Sequence, residues 1–176
     1  MKRLVLILSC LVLATAAMAD HHDEEPTMLR QLDYLGGSWS CKGTQFASPM
    51  GPEHATRGDV TAKWALDGHW LPFTYAEKKT GENPQPFAVS GFFGYDPEIK
   101  MLVLGGVDSG GGYSTAQSGG WDGDILTFTG PWHMAGMTVT GRDTFTKKGA
   151  DEMVHAAYIE KDGGWMKLAE ETCMRK

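Results

Sequence analysis

Leu35-Gly36-Gly37-Ser38-Trp39-Ser40-Cys41-Lys42-Gly43 decides the fold. Before it, Met28, Leu29, Leu32 and Leu35 repeat at three- and four-residue spacing. Pro26 suits the first turn of the short helix this implies, and Gly36-Gly37 stops it. After it the pattern changes to strand, turn, strand and keeps that rhythm to the end of the chain. The stretch is where one short helix hands over to a long meander.

Working outward, strands are predicted near residues 38–46, 59–66, 69–78, 86–95, 100–107, 113–121, 125–129, 137–147, 153–160 and 165–174. Asp67-Gly68, Asp96-Pro97, Asp122-Gly123, Lys148-Gly149-Ala150-Asp151 and Asp162-Gly163-Gly164 are turn chemistry between them, and short turns join antiparallel neighbours. A meander of about ten strands either exposes two long edges or closes on itself, and closure removes the edges. The expectation is therefore an all-β fold: a single closed antiparallel up-and-down β-barrel of about ten strands, with the helix capping one end. Gly91, Gly94, Gly105, Gly106, Gly119, Gly120 and Gly141 fall within the expected strands, where glycine marks bends or bulges.

The 176-residue chain is a one-domain length. Its first segment reads as a secretory leader: Lys2 and Arg3 form a positive start, residues 4–16 an apolar run, and Ala17-Met18-Ala19 a small-x-small cleavage site. The domain plan is a signal peptide over 1–19, cleaved after Ala19, a disordered tail over 20–25 and a barrel over 26–176. Acylation at Cys10 is the competing reading, disfavoured because it would halve the apolar run. No later stretch is apolar enough for a transmembrane helix, so stable membrane insertion is not expected. Loss of the leader leaves 14 of the 16 basic residues against 22 acidic ones, a formal charge of −8. That balance, with no basic cluster, argues against nucleic acid as a partner.

Cys41 and Cys173 survive cleavage. An exported chain meets an oxidising compartment, and an even count invites pairing. Closure would bring the first strand beside the last and make the two cysteines neighbours, as a disulfide requires. Two separate buried thiols are the competing reading.

Gly37-Ser38-Trp39 after a short helix resembles the opening of calycin barrels: lipocalins, fatty-acid-binding proteins and nitrobindin-like domains. In lipocalins that Trp packs at the closed end under a basic residue of the last strand, which implies Trp39 and Arg175 as an end-plug here. A closer resemblance is to a family of exported bacterial domains of unknown function. It rests on Leu35-Gly36-Gly37-Ser38-Trp39, Leu66-Asp67-Gly68-His69-Trp70-Leu71, Gly91-Phe92-Phe93-Gly94-Tyr95-Asp96, Val107-Asp108-Ser109-Gly110 and Arg142-Asp143-Thr144-Phe145-Thr146, in that order along nearly the whole mature chain. That likeness implies the fold and no activity. Nitrobindin-like relatives hold haem through a histidine from the C-terminal part of the barrel. This chain has no histidine after His155, so no haem is expected, with His155 the one residue to check.

Candidate chemistry is sparse. Asp20, as a new N-terminus, would place His22 third, an arrangement that can chelate Cu(II) or Ni(II). Gly130-Pro131-Trp132-His133-Met134-Ala135-Gly136-Met137 reads as a loop whose imidazole and thioethers suit copper through His133 and Met134, or as rim aromatics and gap-fillers. Asp108-Ser109-Gly110-Gly111-Gly112-Tyr113 lacks the Lys-Ser/Thr ending of a phosphate loop and reads as a mobile connection. There is no nucleophile elbow and no H-E-x-x-H, so catalysis is not indicated. The sequence supports a periplasmic or secreted module binding a small apolar or amphipathic molecule, with no cofactor. Trp64, Trp70, Phe73, Tyr75, Phe93, Tyr113, Trp132, His133, Met137 and Arg142 are expected at its lumen or rim, with Arg142 and Glu170 as inward polar anchors. Copper or haem binding, and a structural module with a filled barrel, are the alternatives.

Overall fold

Most connections in this chain are too short to cross a sheet, so each strand turns back beside the one before it. The computed structural model describes residues 24–49 and 51–176. The leader, Cys10 and His22 lie outside them. The strands are β1 Gly37–Gln45, β2 His54–Ala62, β3 Leu71–Glu77, β4 Ala88–Asp96, β5 Met101–Asp108, β6 Tyr113–Ser118, β7 Trp121–Asp122, β8 Ile125–Met134, β9 Met137–Lys147, β10 Glu152–Lys161 and β11 Gly164–Arg175. β7 is a two-residue spur on β8, and the other ten form a closed antiparallel barrel.

Two junctions make the ring. β1 pairs with β11 from Trp39↔Arg175 to Gln45↔Ala169, which sets Cys41 opposite Cys173. Their Cα atoms are 4.0 Å apart and a disulfide joins them. The other junction, β6 with β8, is thin: Tyr113↔His133, Ser114↔Trp132 and Gln117↔Thr129. The gap falls at Gly130-Pro131, where proline offers no N–H to the ladder. A Cβ on Gly130 would collide with the backbone of Thr115 and Ala116, so only glycine lets β6 pass so close.

Two strand boundaries differ from expectation. β2 begins at His54, not near residue 59, because its first turns carry Thr56 and Gly58 inward in place of large apolar residues. The stretch 130–134 is strand, not loop, and the hairpin turns at Ala135-Gly136 with φ of 48° and 76°. Alanine in the left-handed region is not a turn signal in sequence. The in-strand glycines Gly91, Gly94, Gly105 and Gly141 are seats for aromatic rings: a Cβ there would meet Phe73, Trp70, Phe92 and Trp132 respectively. Gly58 seats Tyr75 in the same way.

One end is plugged. Helix α1 Glu24–Arg30 and a 3-10 turn at Asp33–Leu35 deliver Leu29, Leu32 and Leu35 into the core, with Leu32 fully buried. Trp39 is also fully buried, its indole N–H donating to the Leu35 carbonyl at 3.2 Å. The Arg175 guanidinium lies 4.1 Å above the Trp39 ring and donates to the carbonyls of Gly36 and Tyr34. Gln31 holds Trp121, its side-chain oxygen accepting from the Trp121 backbone N–H and its carbonyl from the indole. Among the described residues no helix is long and apolar enough to cross a membrane.

Candidate functional site

Because side chains alternate across a strand, the inward residues of ten strands must either fill the barrel or leave a space. Here the half nearest the plug is filled by Leu35, Trp39, Leu71, Leu102, Leu126 and Phe128. The other half is a cavity of about 390 Å³, open at the end formed by residues 46–49, 51–53, 78–87, 109–112, 135–136 and 162–163. That volume suits one small ligand.

Six of the expected lumen and rim residues meet there: Phe73, Tyr75, Phe93, Tyr113, Trp132 and His133. Phe73 and Phe93 stack at 4.8 Å, and Phe93 packs on Phe128 and Phe145. Tyr113 and His133 stack at 4.2 Å on the rim, and His133 Nδ1 is 2.8 Å from the Thr138 hydroxyl. Trp132 is nine-tenths buried, and its indole N–H has no hydrogen-bond partner among the described residues.

The other four lie elsewhere. Trp64 packs at the plugged end and donates to Asp33 Oδ1 at 2.9 Å. Trp70 lies against Gly94 and edge-on to Phe92. Met137 is 53% exposed at the hairpin tip, outside the cavity lining. Arg142 covers the Trp165 ring at 3.7 Å, also outside the lining. Glu170 pairs with Lys167 and does not line the cavity.

Two of the lumen's polar groups are the immediate neighbours of those anchors, Asp143 and Glu171. Glu171 is 6% exposed, and its Oε1 accepts the hydroxyls of Thr56 at 2.7 Å and Tyr75 at 2.8 Å. Burial, reinforced by the Glu171 charge and hydrogen bond, pushes the Tyr75 phenol well above its ordinary value, so it stays a neutral donor. His155, on β10 opposite Glu171, places Nε2 2.9 Å from Asp143 Oδ1 and stacks on Phe145. Burial pulls the imidazole pKa down, but the hydrogen bond to Asp143 and the charges of Asp143 and Glu171 outweigh it, and the net shift is upward. Nearer the mouth, Glu77 Oε2 accepts from the Asn83 side chain and the Phe87 backbone at 2.7 Å each. Asp108 Oδ1 ties the glycine-rich connection through Gly110 and Gly112.

A signal for Glu171 was present in the sequence. Trp39 in the core puts Cys41 on the same face of β1; its partner Cys173 then carries Glu171, two residues back, inward. The metal and haem candidates are placed differently. His133 is engaged by Tyr113 and Thr138, and the His155 Nε2 that would face a haem iron is engaged by Asp143. Among the described residues no three His, Cys, Asp or Glu side chains form a metal-ligating group.

The architecture is shared with a solved structure. The crystal structure of Rv2717c from M. tuberculosis is similar at a TM-score of 0.61 and 13% identity, over 85% of this chain and 97% of that one. A redesigned β-barrel, b11L5F_LGL, aligns over 84% of this chain and 96% of its own at 13% identity with a TM-score of 0.42. The first likeness is one of fold. No curated protein matches the chain. A family model covers residues 25–175, from the helix to the Arg175 cap, and the chain belongs to that family, the proteins of unknown function DUF1579.

Proposed function

We propose that this domain is an exported, calycin-like binding module that admits one small, mostly apolar molecule through the open end of the barrel. The cavity carries the reading: about 390 Å³, walled by aromatic and aliphatic side chains with a few polar groups at depth. A barrel serving only as a structural module would be filled to native packing density along its whole length, whereas here the side chains fill one half. Phe87, Val107 and Tyr113 leave apolar surface at the mouth, 36%, 58% and 53% exposed, which suits a ligand entering from that side. The Cys41–Cys173 disulfide is compatible with an oxidising compartment and supports export.

The test is native mass spectrometry of protein purified without detergent from its own host, with fluorescence of the uncharged probe N-phenyl-1-naphthylamine on the recombinant domain. A retained small molecule, or a one-to-one probe site lost on Ala157→Trp at the lumen wall, is the expected result. A ligand-free mass together with no saturable probe site overturns the reading.

A further inference from the structure

The walls of this cavity have a sign. Its lining includes four carboxylates, Glu77, Asp108, Asp143 and Glu171, and among the described residues no lysine or arginine. Asp143 is partnered by His155, while Glu77 and Asp108 are held near the mouth by amide and backbone N–H donors. Glu171 differs from all three. It is buried at depth, two hydroxyls solvate its Oε1, and among the described residues Oε2 accepts no hydrogen bond and no ion pair reaches the group.

A carboxylate taken out of water is expensive, and two hydroxyls on one oxygen, with the nearby His155 imidazole hydrogen-bonded to Asp143 instead, offset only part of that cost. The aromatic faces of Phe73, Tyr75, Phe93 and Trp132 line the same space, and ring faces attract cations. A fatty acid, by contrast, would bring its head group among four carboxylates, with His155 already engaged by Asp143 and no lysine or arginine in the described lining to receive it. The indole N–H of Trp132, nine-tenths buried in the same wall, is a second polar group with no partner among the described residues.

Resting on the binding reading above, we propose that the ligand is an organic cation: an amine whose ammonium group lies against Glu171 and whose carbon body is held by the ring-lined wall. A hydrogen-bond acceptor elsewhere on the same molecule would take the Trp132 indole N–H.

Three compounds with one skeleton test it: 4-phenylbutylamine, 4-phenylbutanol and 4-phenylbutyrate, titrated calorimetrically into the oxidised domain at pH 7, where their heads are cationic, neutral and anionic. The amine should bind about tenfold or more tighter than the alcohol, and the butyrate weakest. Glu171→Gln should remove about tenfold from the amine and leave the alcohol within about twofold. Alcohol or butyrate binding as tightly as the amine overturns the cation assignment and leaves the binding reading standing. Failure of all three overturns the cation assignment, and the binding reading falls with it only if the retained-ligand and probe tests above fail as well. If Glu171→Gln does not fold, the head-group order in the unaltered protein decides alone. An unchanged amine affinity in a folded Glu171→Gln overturns the placement at Glu171.

Discussion

Reducing the Cys41–Cys173 bond should cost the domain a large part of its stability without abolishing the fold. The bridge spans 132 residues, and the chain-entropy model assigns a loop of that length roughly 5 kcal/mol at 25 °C. For a domain of this size each kcal/mol moves the melting temperature by about 2–4 °C, so reduction should lower it by about 10–20 °C. Folding should survive, because the seven β1–β11 register pairs and the Arg175 cap do not depend on the sulfur atoms. Circular-dichroism melts of the oxidised protein, the phosphine-reduced protein and Cys41→Ala/Cys173→Ala separate the effects. The reduced protein keeps both sulfurs in their buried places and isolates the tether. The alanine pair adds lost packing at two sites 3% and 1% exposed, worth roughly 1 kcal/mol each. A fall of less than about 5 °C on reduction would show that the tether is not what restrains the unfolded chain. Alkylation of both cysteines in unreduced protein would remove the bridge itself from the argument.

Three other outcomes follow from the same contacts. The His155 imidazole should titrate above 6.5 by NMR, and lower in Asp143→Asn. Because its folded pKa is raised, the stabilisation it brings is fully present below the unfolded value of about 6.5 and fades as pH rises through the folded one, so the melting difference between the two proteins should shrink upward across that window. A wild-type midpoint at or below 6.5 would refute this. Arg175→Ala loses two hydrogen bonds from a charged group and should cost roughly 3 kcal/mol in urea denaturation, with lysine restoring less than half because it cannot lie flat on Trp39 while donating to both carbonyls. Full rescue by lysine would show that charge alone matters. Gly130→Val should raise amide hydrogen exchange in β6 and β8 while β1 and β11 stay protected, and uniform exchange across all four strands would contradict the close approach at Gly130.

How far the sequence could be read depended on contrast between neighbouring residues. The ring and its staple were legible because turn chemistry recurs at strand-length intervals and the two cysteines sit on the first and last strands. Inward direction was harder to assign. Arg142-Asp143 and Glu170-Glu171 are pairs of charged neighbours, and with a period of two nothing local says which member faces in. Both expectations fell on the wrong member. β11 also skips a residue against β10 near Leu168, between Ala157↔Ala169 and Tyr158↔Lys167, so alternation counted from the open end of β11 loses step. Trp64 and Trp70 were expected at the lumen or rim, yet a large ring can bury itself on an outer glycine, as Trp70 does on Gly94. The cavity depends on how far the plug reaches, a matter of volumes that no linear pattern encodes.

A closed ring of strands fastened covalently at β1–β11 and laced by three pairings at β6–β8 behaves like a bracelet with a rivet and a clasp. When the clasp parts, the two arms stay joined through Cys41 and Cys173, so the chain relaxes to an open curl and re-closure is a short intramolecular search. The residues beside the clasp, Tyr113, Trp132 and His133, are themselves lumen wall. A parting there would therefore open the cavity along its side wall as well as at its mouth.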